Sequence, residues 1–373
     1  MQAILDELGT EESLALLLQE LNKAPNQYKT LVIFAAESNP ISDEAYRRLF
    51  ATSQLEIIGG IFPQLLYNDK IIKKGFLLIP QEVALKYELI HHISNAETDL
   101  DSLAKEAAKR LASCKSLVIW VDGLSQRISV LLASVYDYFG AHINYYGGGA
   151  GRTTGRSNCI FGRNDLFYDC ALLIESEFTA YTSVQHGYEL FSGPHVVNKS
   201  INNSILEIDY VDAFSLYSSI LKKSGSPEIN PQNLIDHSVK FPIGIQKYDG
   251  TIIVRDPIST DGKNLLCIGD VQEDSIIYIL KGNEDNIIKA ATDGMKSMLD
   301  KNATTQSIFV IDCINRLHYL GDNYNKCIQA TLDIAKDRKV FGVFSLGEIA
   351  SDGDHPLDFF SKTIVQCGLE LKL

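Results

Sequence analysis

Apolar positions along this chain fall into blocks of two kinds. The segment "TLVIFAAESN" (Thr30 to Asn39) is an unbroken run of apolar and β-branched residues ending in turn formers, which predicts a buried strand. The following "PISDEAYRRLF" has helical spacing, with Ser42 or Asp43 available as N-cap, and "LEIIGGIF" (Leu55 to Phe62) predicts a second strand. Together they make one β-α-β unit. The pattern returns as "SLVIWVDG" (Ser116 to Gly123), a helical "RISVLLASVYDYFG" and "AHINYYGGGAG" (Ala141 to Gly151). It returns again as "SIFVIDCINR" (Ser307 to Arg316), a helix through "NYNKCIQATLDIAKD" and "KVFGVFSLGEIASDG" (Lys339 to Gly353). The stretches "GIFPQLLYND" and "GVFSLGEIASD" both set Gly-x-Phe before an acidic loop, which points to an internal duplication.

Between these units the blocks shorten and alternate, with Gly and Asn turns: "CIFGRNDLFYDCALLIES", "SILEIDYV", "FPIGIQKYDGTIIVRDPIST", "NLLCIGDV" and "DSIIYILKGN". Such spacing predicts antiparallel hairpins. The expected fold is therefore α/β of the mixed α+β kind, two related halves with β-α-β units plus antiparallel strands. An N-terminal helical segment (1–29) precedes a first half (30–222). The polar "KKSGSPEINPQN" (Lys222 to Asn233) supplies a linker at 223–233, and a second half follows (234–373).

Composition narrows the function. The formal charge is −13, with 47 acidic against 34 basic residues, so a nucleic-acid backbone would be repelled on average. No stretch carries the apolar run of a membrane helix, and the acidic, amphipathic start is unlike a secretory signal. The seven cysteines are scattered and never spaced C-x-x-C, which suits a reducing compartment. A cytoplasmic protein without nucleic-acid or membrane partners is expected.

The glycine-rich "YYGGGAGRTTGRSN" (Tyr145 to Asn158) follows a strand but leads into no helix, and no G-x-G-x-x-G or G-x-x-x-x-G-K can be drawn through it. It reads either as a close approach of backbones or as bare amides that, with Arg152 and Arg156, bind a carboxylate-sized anion. G-x-S-x-G and H-E-x-x-H are absent from the sequence. An enzyme would have to use Cys313 or Cys159 as nucleophile, with no histidine companion to name. Glu348, in "SLGEIASDG" after a strand, is a candidate binding carboxylate.

These pieces, in this order, resemble the FIST sensory family, whose members carry an N-terminal and a C-terminal half. The resemblance runs from about Thr30 to Leu369. It rests on "LEIIGGIF", "YYGGGAGR" and "QHGYELFSGPHVVNKSINNSILEID" in the first half. In the second it rests on "FPIGI", "IIVRDPI", "LLCIGDV", "DCINR" and above all "FGVFSLGEIASDGDHPLDFFSKTIV". Two departures are visible: Arg152 stands where the family commonly has an acidic residue, and "GGIFPQLLYND" lacks a Gly-Glu-Ile.

The resemblance implies a non-catalytic small-ligand sensor of bacterial signalling, with a site lined by Gly148, Gly149, Gly151, Arg152, Gly347 and Glu348. Stand-alone relatives in the family imply a more specific version, haem-based sensing of nitric oxide that regulates a separate histidine kinase or cyclic-di-GMP enzyme in trans. Haem b would then be held non-covalently by His186 as the iron ligand, with His237 as second choice. The alternative is a sensor of amino acids or other small anions, anchored by Arg152, Arg316 and Glu348.

Overall fold

The computed structural model describes residues 3–23, 27–223, 225, 227–351 and 357–369. The three expected β-α-β units all form. In the first, the strand Thr30–Ala36 is followed by a helix, Asp43–Phe50, and a parallel strand, Glu56–Phe62. Ser42 caps that helix through the amide of Ala45. The second comprises Ser116–Asp122, the helix Ile128–Phe139 and Asn144–Ala150. The third comprises Ser307–Cys313, the helices Ile314–Leu320 and Tyr324–Ala335, and Lys339–Ser345.

The repeat is threefold, and the three sheets exchange strands in a ring. After the first unit, Gln64–Tyr67 crosses to pair with Lys339–Ser345 of the third. After the second, Ile160–Gly162 pairs with Glu56–Phe62 of the first. After the third, Glu348–Ser351 pairs with Asn144–Ala150 of the second. Each time the chain then returns to flank its own unit, as Phe76–Gln81, Cys170–Ser176 and Ile364–Leu369. Strand Ala180–Gln185 adds to the outer edge of the third sheet.

One glycine marks the same register point in all three units. Gly59 lies opposite Ile33, Gly147 opposite Ile119 and Gly342 opposite Val310. A Cβ on these glycines would lie 2.1, 1.8 and 1.8 Å from the facing carbonyl oxygen, so only hydrogen fits. The duplication read from "GIF" and "GVF" aligns Gly60 with Gly342; the strand register aligns Gly59 instead, one residue earlier.

Each sheet turns one face to a shared core and the other to its helices, which is why the strands read as continuous apolar runs. At the centre Phe34, Phe62, Trp120, Phe309 and Phe341 meet, with ring centroids 5.1–6.0 Å apart. All five are buried.

The expected antiparallel hairpins form a closed six-stranded ring: Glu189–Ile201, Ile276–Lys281, Ile243–Gln246, Ile252–Thr260, Leu265–Ile268 and Ser204–Ile208, the last pairing back to the first. Val197, Ile205, Ile243, Ile277 and Ile279 fill it, and helices Ala213–Lys223 and Leu234–Ser238 cap it through Phe214, Tyr217 and Leu234. The expected linker at 223–233 thus joins two helices of this barrel, with Ile229 buried in its core; residues 224 and 226 lie outside the described residues. No helix among the described residues is long and apolar enough to cross a membrane.

Replacing Gly147 by alanine sets a methyl group against the Ile119 carbonyl. The expected loss is about 3 kcal/mol or more in denaturant unfolding. An unchanged midpoint would mean that the second sheet can open there without cost.

Candidate functional site

The glycine strands do come together, by strand pairing. Gly148 lies opposite Glu348, the Gly149 amide donates to the Gly347 carbonyl at 2.7 Å, and the Leu346 amide returns to Gly149 at 2.8 Å. The Gly151 amide donates to Ile61 at 2.8 Å. A Cβ on Gly149 would lie 2.4 Å from the Leu346 carbonyl oxygen, and one on Gly347 2.3 Å from the Phe359 ring. Of the two readings left open by "GGGAGR", the geometry matches the close approach of backbones, since the Gly149 and Gly151 amides already have partners. Residues 352 and 353 of the second glycine loop lie outside the described residues.

The expected anchors are also committed. Arg152 donates to the Glu37 carbonyl at 2.8 Å, and the carboxylate of Glu37 accepts the Thr153 amide and hydroxyl at 2.5 and 2.7 Å. Arg316, fully buried, spends Nε on Asp312 (2.7 Å), one terminal nitrogen on the His186 carbonyl (3.2 Å) and the other on the Ile287 carbonyl (3.3 Å). The Tyr324 hydroxyl donates to the second oxygen of Asp312. This set fastens the third unit to the Glu284–Lys301 helix and to the chain entering the barrel. Burial raises the Asp312 carboxyl above its ordinary range despite the guanidinium beside it.

Glu348 is also fully buried. Its Oε1 lies 2.6 Å from the Ser345 hydroxyl, and its Oε2 accepts the Thr363 amide at 3.2 Å. Burial, followed by the nearby Asp312, pushes its carboxyl well above the ordinary range. Close by, Lys362 Nζ stands 2.9 Å from Asp256 Oδ2, and Arg255 donates to the Phe359 carbonyl at 2.9 Å, tying barrel to sheets. Sequence reading missed Arg255, Asp256 and Lys362; charged residues inside "IIVRDPI" and "FFSKTIV", flanked by apolar runs, are the signal that they are buried.

The histidine environment does not fit an iron ligand. His186 Nδ1 accepts the Tyr188 amide at 2.9 Å. A histidine that binds metal through one nitrogen donates a proton from the other, and here the other nitrogen faces a donor. Ligation through Nδ1 would instead break this bond. His186 is drawn down to about 4, by burial and then by the Arg316 charge. It lines neither the axial cavity nor the polar groove described below, and His237 sits on the Leu234–Ser238 helix that caps the barrel. Among the described residues, no group of three or more His, Cys, Asp or Glu is placed to hold a metal. Cys313 and Cys159 are buried, with thiols pushed well up by burial, so neither offers a thiolate.

Sequence reading also missed the cavity. A pocket of about 220 Å³ opens where the three sheets meet. Val32, Val118 and Phe309 each stand one residue before the shared register point in their strands, and all three line it. Phe34, Trp120 and Phe341 add aromatic faces, and Tyr146 closes one side. Polar residues (Gln81, Lys86, Ser176, Glu177) gather at the end where Val83 and Phe178 are exposed. A larger polar groove of about 730 Å³ runs between the Ile128–Phe139 helix and the barrel. Its cations Lys247 and Arg255 face Asp358 at 2.9 and 3.4 Å.

Three interlocked β-α-β sheets joined to an antiparallel barrel, with the glycine and Glu348 strands paired, make a two-part α/β fold. The model of the FIST N domain matches residues 29–210 and that of the FIST C domain residues 213–351. The chain belongs to the FIST family, whose domains are small-ligand sensors in signal transduction. No curated protein matches it.

Glu348→Gln tests the buried acid. The folded state holds a proton that the unfolded chain releases above about pH 4.5, so this contribution is complete below that pH and is lost as pH rises through the folded value. Glutamine mimics the protonated acid. The melting temperature of the variant relative to the parent should therefore climb as pH rises above about 4.5; a constant difference would mean that the fold does not raise the Glu348 carboxyl.

Proposed function

We propose that this protein senses a small, largely apolar molecule held in the axial cavity, and that a separate signalling protein reads its occupancy. The observation that carries the reading is the position of the cavity, whose wall draws on all three sheets at equivalent register points. A largely apolar pocket of this size has room for a small apolar guest. A guest there touches every sheet at once, so it favours whichever relative placement of the sheets fits it. The partner in trans is of the histidine kinase or cyclic-di-GMP class that family resemblance implies. Haem is not carried forward, because His186 presents the wrong nitrogen. Neither is an anion at the glycine strands, whose amides and arginines already have partners.

The chain has a single tryptophan, Trp120, and it lines the cavity. Toluene as probe should shift Trp120 emission and stabilise the fold by about 1.4 kcal/mol at ten times its Kd. Val118→Phe, which fills the space, should remain folded and lose both responses. Emission and melting temperature indifferent to toluene up to its solubility would overturn the proposal.

A further inference from the structure

The Tyr146 hydroxyl, in the cavity wall, has no protein partner among the described residues. Four buried tyrosines elsewhere in the chain bond their hydroxyls to protein: Tyr145 to Gly140 at 2.6 Å, Tyr217 to Phe241 at 2.7 Å, Tyr188 to Val239 at 3.1 Å, and Tyr324 to Asp312. Tyr146 is only 8 % exposed, sits in the shared apolar core and lines the cavity opposite Val118. Among the described residues its hydroxyl makes no hydrogen bond. The ring is buried while the hydroxyl, without a protein partner, is free to bond a guest in the cavity it lines.

We infer that the Tyr146 hydroxyl is the polar contact of the ligand, and that the ligand is a small neutral molecule with an apolar body and one hydrogen-bond-accepting oxygen, such as a ketone, aldehyde or ester. The inference rests on the reading that the axial cavity is the ligand site. Burial drives the Tyr146 phenol far above its usual range, so it remains an O–H donor at any physiological pH and seeks an acceptor. The wall around it is apolar: Val32, Phe34, Val118 and Phe309. Charge is confined to the mouth, where Lys86 Nζ is 3.3 Å from Glu175, whose carboxylate also accepts the Ser113 amide at 3.3 Å. An ammonium or carboxylate drawn inside would lose its hydration and meet no counter-ion. A neutral oxygen loses far less and gains the Tyr146 hydroxyl as donor.

Three probes of similar shape separate the possibilities: ethylbenzene, acetophenone and benzoate, titrated calorimetrically into the full chain and into Tyr146→Phe. Acetophenone should bind the variant about tenfold more weakly than the parent. Ethylbenzene should bind both within about twofold, and benzoate should be the weakest ligand of either. Because the hydroxyl has no partner to lose, ligand-free Tyr146→Phe should melt no lower than the parent. Equal effects of Tyr146→Phe on acetophenone and ethylbenzene, strongest binding by benzoate, or a clear fall in the melting temperature of the ligand-free variant would overturn the inference while leaving the cavity as the ligand site. Failure of all three probes to bind the parent would overturn both.

Discussion

The meeting of five aromatic rings on the axis between three sheets is the contact on which the rest of the structure depends. Phe34 and Phe62 come from the first unit, Trp120 from the second, Phe309 and Phe341 from the third. Burying side chains of this size contributes roughly 2–3 kcal/mol each, and edge-to-face pairs add about 0.5–1.5 kcal/mol. No unit can bury its own share alone, because the facing rings belong to the other two. The strand exchange follows the same logic: each sheet is completed by a short strand lent by a neighbour, so backbone hydrogen bonds and aromatic contacts close the same ring.

The barrel stands differently. It has its own core, and it is held to the sheets by charge as well as by packing. Arg255 and Lys362 reach across to Phe359 and Asp256 with little access to water. The buried Lys362–Asp256 pair is of a kind that adds little net stability and costs much when one partner goes. Together with Arg255 it fixes how the barrel sits on the sheets.

Much of this was legible in the sequence, and the limits have physical causes. The strands and helices of the three units follow from unbroken apolar runs and capping residues such as Ser42. That no helix follows "GGGAGR" was legible as well, from its Gly and Asn content. The exchange of strands was hidden because Gln64–Tyr67 and Glu348–Ser351 are four residues each and pair with partners far away in sequence. A run buried on both faces does not say which alternate residues point to the axis, so Val118, Trp120 and Tyr146 could not be picked out as cavity residues. Arg316 and Glu348 were found by motif, but their roles come from neighbours, Asp312 and Ser345, that only the fold supplies.

The exchanged strands also bear on how the chain is made. The contact between Asn68 and Val340 spans 272 residues. At the usual pace of translation of about 5–20 residues per second, the partner of Gln64–Tyr67 leaves the ribosome on the order of tens of seconds after that strand does. For that interval the nascent first unit carries an unpaired strand edge and two of the five rings of the aromatic cluster, surfaces that invite pairing with other chains. A protein built this way reaches its native state only after the third unit has been made, and its yield in the cell depends on whatever shields those edges until that unit arrives.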